Sequence, residues 1–152
     1  MVKKKPTQRK PGSKLKKLSF LIGKWHTEGE ILQGDANSSK DIKGMDTYEW
    51  ISAGFFILHR VDVFMRNERT EAIEIIGYDE NRKSYFMRSF DSHGESITMY
   101  AGLVKAGVLK FGDEKMRANL TVNKSGNSML AKWELSENGK TWKPWMILKL
   151  KK

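Results

Sequence analysis

The chain has 152 residues, 39% of them hydrophobic, with 28 basic and 18 acidic side chains and a formal charge of +10. That is enough apolar material for one core, and too little chain for a TIM barrel or a two-domain dehydrogenase. No cysteine and only three histidines exclude disulfides, thiolate metal sites and cysteine nucleophiles, and no apolar run approaches the roughly 20 residues that span a bilayer.

The charge is uneven. Lys3, Lys4, Lys5, Arg9, Lys10, Lys14, Lys16 and Lys17 are eight basic residues with no acid among them, which leaves 20 basic against 18 acidic residues in the rest. The domain is therefore nearly neutral and only its leading segment is basic. Residues 1–12, with Pro6, Pro11 and Gly12 and almost nothing apolar, are expected to be a disordered tail, and 13–152 a single domain. No apolar stretch follows the positive run, so a secretory signal is not expected and a cytoplasmic location is. The tail carries no aromatic platform for bases, so contact with nucleic acid or an acidic partner is expected through charge alone, if through anything.

Ser13 to Leu21 reads as a short helix, with Ser13 as its cap and Leu15, Leu18 and Leu21 on one face. Gly23 ends that pattern. Runs rich in β-branched and aromatic residues follow at hairpin spacing: 24–32, 45–52, 55–65, 70–78, 83–90, 96–104, 108–112, 115–122, 128–135 and 141–150. Turn chemistry separates them at Asp79-Glu80-Asn81-Arg82, at Asp91-Ser92-His93-Gly94, at Asn123-Lys124-Ser125-Gly126 and at Glu137-Asn138-Gly139-Lys140. The polar stretch 33–44 is the longest expected loop, at one mouth of whatever the sheet encloses. Pro144 cannot donate to a ladder and marks a bulge or an interruption in the last strand. With no long helical period after Gly23, the expectation is an all-β, up-and-down antiparallel barrel of about ten strands with a short N-terminal helix; closure leaves no exposed edges.

Gly23-Lys24-Trp25 at the opening of the first strand resembles the calycin superfamily, which includes lipocalins and fatty-acid-binding proteins. The tryptophan would plug the closed end and the glycine would let the entering helix approach. Tyr48-Glu49-Trp50-Ile51, Gly54 to His59, Ile76-Gly77-Tyr78-Asp79, Tyr85, Ser89 to Gly94 and Trp133 to Trp142 add a narrower resemblance, to a lipocalin-like bacterial family of unknown function numbered 1579. It implies a barrel with an interior cavity and brings neither an established reaction nor an agreed ligand. Nitrobindin, a haem barrel, is similar in its Gly-x-Trp opening. Its iron is held by a histidine near the chain's end, whereas 115–152 holds none here, so no haem and no other cofactor or metal is expected.

Alternation along Phe55 to Phe64 puts His59 on a face with Phe55, Ile57, Val61 and Val63. His59 is then either a neutral core histidine satisfied by a carbonyl, the favoured reading, or a hydrogen-bonding group for a ligand. Arg88 lies among aromatics: it either waits inside for an anion, as arginines do in fatty-acid-binding proteins, or pairs outside with an acid such as Glu74. Glu49, between Tyr48 and Trp50, is equally open. Trp25, Met99 and Trp133, with other methionines and tryptophans, supply bulky lining. Asp91, Ser92 and His93 read as turn formers and not as a triad. The leading expectation is non-catalytic binding of a small apolar or amphipathic molecule in the barrel, with Trp25, Glu49, His59, Arg88, Met99 and Trp133 around it. The competing expectation is an interaction module working through the basic tail. No spaced carboxylate pair, phosphate loop or dinucleotide fingerprint supports an enzyme.

Overall fold

The computed structural model describes residues 9–32 and 41–152. Most of the expected basic tail, residues 1–8, and the first eight residues of the expected long loop, 33–40, lie outside the described residues.

The predicted N-terminal helix is two fragments: one α-turn, α1 (Ser13–Lys16), and a 3-10 turn (Ser19–Leu21). Gly12, not Ser13, holds the N-cap position, and no side chain caps either piece. A single turn forms few hydrogen bonds for the dihedrals it fixes, so burial must hold it. It does: Leu15, Leu18 and Leu21 keep their spacing across the break and are 4%, 0% and 1% exposed.

Ten antiparallel strands follow: β1 (Gly23–Ile31), β2 (Ile42–Ile51), β3 (Phe56–Met65), β4 (Glu68–Asp79), β5 (Ser84–Asp91), β6 (Ser96–Lys105), β7 (Val108–Gly112), β8 (Met116–Val122), β9 (Ser128–Leu135) and β10 (Lys143–Lys151). Each pairs with its sequence neighbours, and β10 returns to pair with β1, so the sheet is a closed barrel. The all-β, ten-stranded, up-and-down expectation holds.

The turns explain most of the strand boundaries. Gly94, Gly126 and Gly139 take φ of +80°, +75° and +72°, a region closed to most L-residues. The Asp79 carboxylate accepts the amides of Asn81 and Arg82, and Asp91 those of His93 and Glu95. Arg66 and Asn67 both have positive φ, the two-residue hairpin geometry that matches strand twist, so β4 begins at Glu68, earlier than its apolar pattern suggests. Two other expectations are corrected. Ile42, Lys43 and Gly44 belong to β2, not to the loop, because β1 and β3 flank them with a continuous register. Thr141 and Trp142 precede β10, because the Asn138 side chain takes the amides of Lys140 and Thr141 at 2.8 Å each. The register shift expected at Pro144 falls between Pro144 and Met146.

The α1 segment seals one end of the barrel. Trp25 is fully buried there, and its indole Nε1–H donates to the Leu21 carbonyl at 2.8 Å. The Tyr85 hydroxyl donates to the Lys14 carbonyl at 2.6 Å, and Lys152 Nζ lies 4.7 Å from the centre of the Trp25 ring. Gly23 serves its own backbone: its φ is +141°, and a Cβ there would meet the Lys152 side chain at 2.8 Å. Approach of the helix is not what requires it. Among the described residues no helix is long and apolar enough to cross a membrane.

Candidate functional site

Above the floor the barrel encloses a cavity of about 270 Å³. Its lining runs from Leu21, over the floor, to Thr70 and Asp91 beside the hairpins of the opposite end. Strand order divides the wall. In a ten-stranded ring β2, β3 and β4 lie across from β7, β8 and β9. The β7–β10 side is apolar and aromatic: Phe111 and Trp133 meet edge to face at 5.2 Å, and Trp133 and Trp145 at 6.0 Å. Met87 and Met99, register partners on β5 and β6, continue it.

The β2–β4 side carries the polar groups. His59 does point inward, as alternation along β3 predicts. The favoured reading of a neutral histidine held by a carbonyl is corrected, because both its ring nitrogens face carboxylates. Nε2 lies 2.6 Å from Asp46 Oδ1 on β2, and Nδ1 lies 3.1 Å from Glu74 Oε1 on β4. The Thr27 hydroxyl donates to the other Asp46 oxygen. Asp46, Glu74 and Thr27 are 6%, 9% and 2% exposed. Tyr48 stacks flat on the imidazole, with centroids 3.9 Å apart and 8° between the planes.

The electrostatics follow from this packing. Burial alone would push the His59 imidazole down, but hydrogen bonds to Asp46 and Glu74, together with their charges, raise it from 6.5 to about 9. It is therefore a cation at neutral pH, donating from both nitrogens. Burial, and then the charges of Asp46 and Glu74, push the Tyr48 phenol well above its ordinary range, so it stays protonated. No group of three or more His, Asp or Glu side chains among the described residues is arranged to hold a metal ion.

The six residues expected at the site divide three ways. His59, Met99 and Trp133 line the cavity. Trp25 belongs to the floor and does not reach it. Glu49 and Arg88 face outward and are exposed. Glu49 makes a long pair with Arg60 at 3.8 Å, and the Arg88 guanidinium lies 5.3 Å from the centre of the Phe86 ring. Arg88 pairs in register with Ile75, so Glu74, the acid expected to meet it, lies on the other face of β4. Asp91 and Ser92 act as turn formers: Asp91 accepts two turn amides and Ser92 Oγ accepts the Glu71 amide.

Asp46, Glu74, Tyr48 and Thr27 were missed as a cluster. One signal for Glu74 existed: a two-residue turn at Arg66-Asn67 puts Glu74 directly opposite His59.

A family model described as "Protein of unknown function (DUF1579)" matches residues 10–148. The chain belongs to that family. The match spans the α1 segment and nearly the whole barrel of this DUF1579 chain, so the cavity and its polar wall lie inside the family domain. No curated protein matches the chain.

Proposed function

We propose that this DUF1579 chain is a non-catalytic binding protein that holds one small amphipathic molecule inside its barrel, and that it is related to lipocalin-type barrels. The cavity carries this reading: about 270 Å³ of space with mostly apolar walls and a polar cluster of Asp46, Tyr48, His59 and Glu74 on one side. That is close to twice the roughly 150 Å³ that accommodates benzene in an apolar protein cavity, and near the lower end of the roughly 300–1,000 Å³ of ligand pockets. A few polar groups in an apolar pocket fix the orientation of a ligand whose burial supplies the affinity. The arrangement of the polar groups favours binding over chemistry. Both His59 nitrogens are engaged by carboxylates, so neither is free to take a proton from a nucleophile.

Native mass spectrometry of the protein purified from its own host tests this reading. The expected result is a second species heavier by one small-molecule mass, which collapses to the bare chain on activation. A single bare mass, together with tryptophan fluorescence that responds to no hydrophobic probe, would overturn it.

A further inference from the structure

We propose that the molecule this cavity takes is a small organic cation, an aromatic or apolar body bearing a protonated amine, with the amine docked on Glu74 at the β2–β4 wall. The inference rests on the reading of the cavity as a binding site and adds the chemical class of the ligand.

The argument is a count of charges and donors. Asp46 and Glu74 are two carboxylates sharing one imidazolium, so the cluster retains a negative charge. Asp91 adds a further carboxylate to the lining, and no lysine or arginine among the described residues lines the cavity. A buried charge without a partner is costly, so the site favours whatever supplies a positive one. Across the cavity the buried Trp133 indole Nε1–H has no acceptor among the described residues, whereas on the β2–β4 wall it is an acceptor that lacks a donor. Asp46 uses both oxygens, one on His59 and one on Thr27, while Glu74 uses only Oε1. Glu74 Oε2 therefore faces the cavity with no donor among the described residues, although the residue is only 9% exposed. Tyr48 adds a hydroxyl that can donate to a ligand or accept from one. It is 7% exposed, lines the same space, and its hydroxyl makes no hydrogen bond to a described residue. An ammonium has three donors and no acceptor, which suits the acceptor-rich β2–β4 wall; a carboxylate ligand would meet the charges of Asp46 and Glu74 there. Across the barrel, Phe111, Trp133 and Trp145 offer edges and faces to an aromatic body. The outward Arg88 removes the anion-binding arginine that a fatty-acid carrier would need.

Isothermal titration calorimetry of the whole protein near neutral pH, with three ligands sharing one body, separates the possibilities: phenethylamine, 2-phenylethanol and phenylacetate. The expected order is the amine bound about tenfold or more tighter than the alcohol, the gain of a charge-assisted hydrogen bond, with no measurable binding of the carboxylate. Glu74→Gln is expected to remove the preference, bringing the amine down to the affinity of the alcohol. Alcohol or carboxylate binding as tight as the amine, or amine binding that Glu74→Gln leaves intact, overturns the cation assignment and leaves the cavity reading standing. Failure of all three ligands overturns both. Should Glu74→Gln fail to fold, the three-ligand order on the unaltered protein decides alone.

Discussion

The floor of the barrel and its β2–β4 wall both bury polar atoms, and they treat them in opposite ways. At the floor every donor meets a fixed acceptor: Trp25 finds the Leu21 carbonyl and Tyr85 the Lys14 carbonyl, and leucines fill the rest. At the wall, acceptors outnumber donors, and a charged cluster opens onto empty space. A buried polar group with a full complement of partners stabilises the fold. One left short carries a cost that packing alone would have removed, by substituting an apolar side chain. The difference separates the part of the barrel that holds the chain together from the part to which the proposal assigns a ligand.

The comparison can be broken first at the floor. Trp25→Ala is expected to lower stability by about 3–5 kcal/mol, the usual cost of deleting a fully buried aromatic, read as a lower urea midpoint whether or not ligand is present. A loss under about 1 kcal/mol would mean that Trp25 does not organise the closed end.

At the wall the expected signature is a pH dependence. The folded-state value of His59, about 9, lies above its ordinary 6.5. Its contribution is therefore complete below about 6.5 and is lost as pH rises through about 9. The shift corresponds to roughly 3 kcal/mol. Urea unfolding across that window is expected to show the loss in the wild-type chain and a much flatter profile in His59→Gln. Equal slopes in the two proteins would remove the charged imidazolium from the account.

Smaller effects sharpen the same contrast. Tyr85→Phe leaves the Lys14 carbonyl without its donor and is expected to cost about 1 kcal/mol, with faster hydrogen exchange confined to 14–21. Arg88→Ala and Glu49→Ala, on the exposed outer face, are expected to change stability by no more than about 0.5 kcal/mol and to leave ligand titrations unaltered. A binding defect in either would place the site outside the barrel.

Much of the fold was legible because the local signals agree with one another. Most period-two runs are bounded by a glycine at positive φ or by an Asp or Asn side chain that caps the turn, so strand number and order could be read from residues a few positions apart. Alternation along β3 was enough to send His59 inward with Ile57 and Val63. What surrounds His59 was harder, since Asp46, Tyr48 and Glu74 come from two other strands and meet it only once register is fixed. Apolar runs place a strand to within a residue or two, and a one-residue error moves every side chain to the other face. Glu74 and Arg88 illustrate the point: they are cross-strand neighbours by pattern and lie on opposite faces in fact. The start of β2 was hidden for another reason: Lys43 and Gly44 have little strand preference, and only pairing on both sides makes them a strand.

The proposed interior binding site is tested most directly by the methionines that surround it. With methyl-¹³C methionine and saturating 2-phenylethanol, the account predicts that the Met87 and Met99 methyl resonances shift while those of Met45 and Met65, which do not line the cavity, stay in place. Movement of Met45 or Met65 alone, or of none of the eight, would contradict a cavity that takes a small molecule into the barrel.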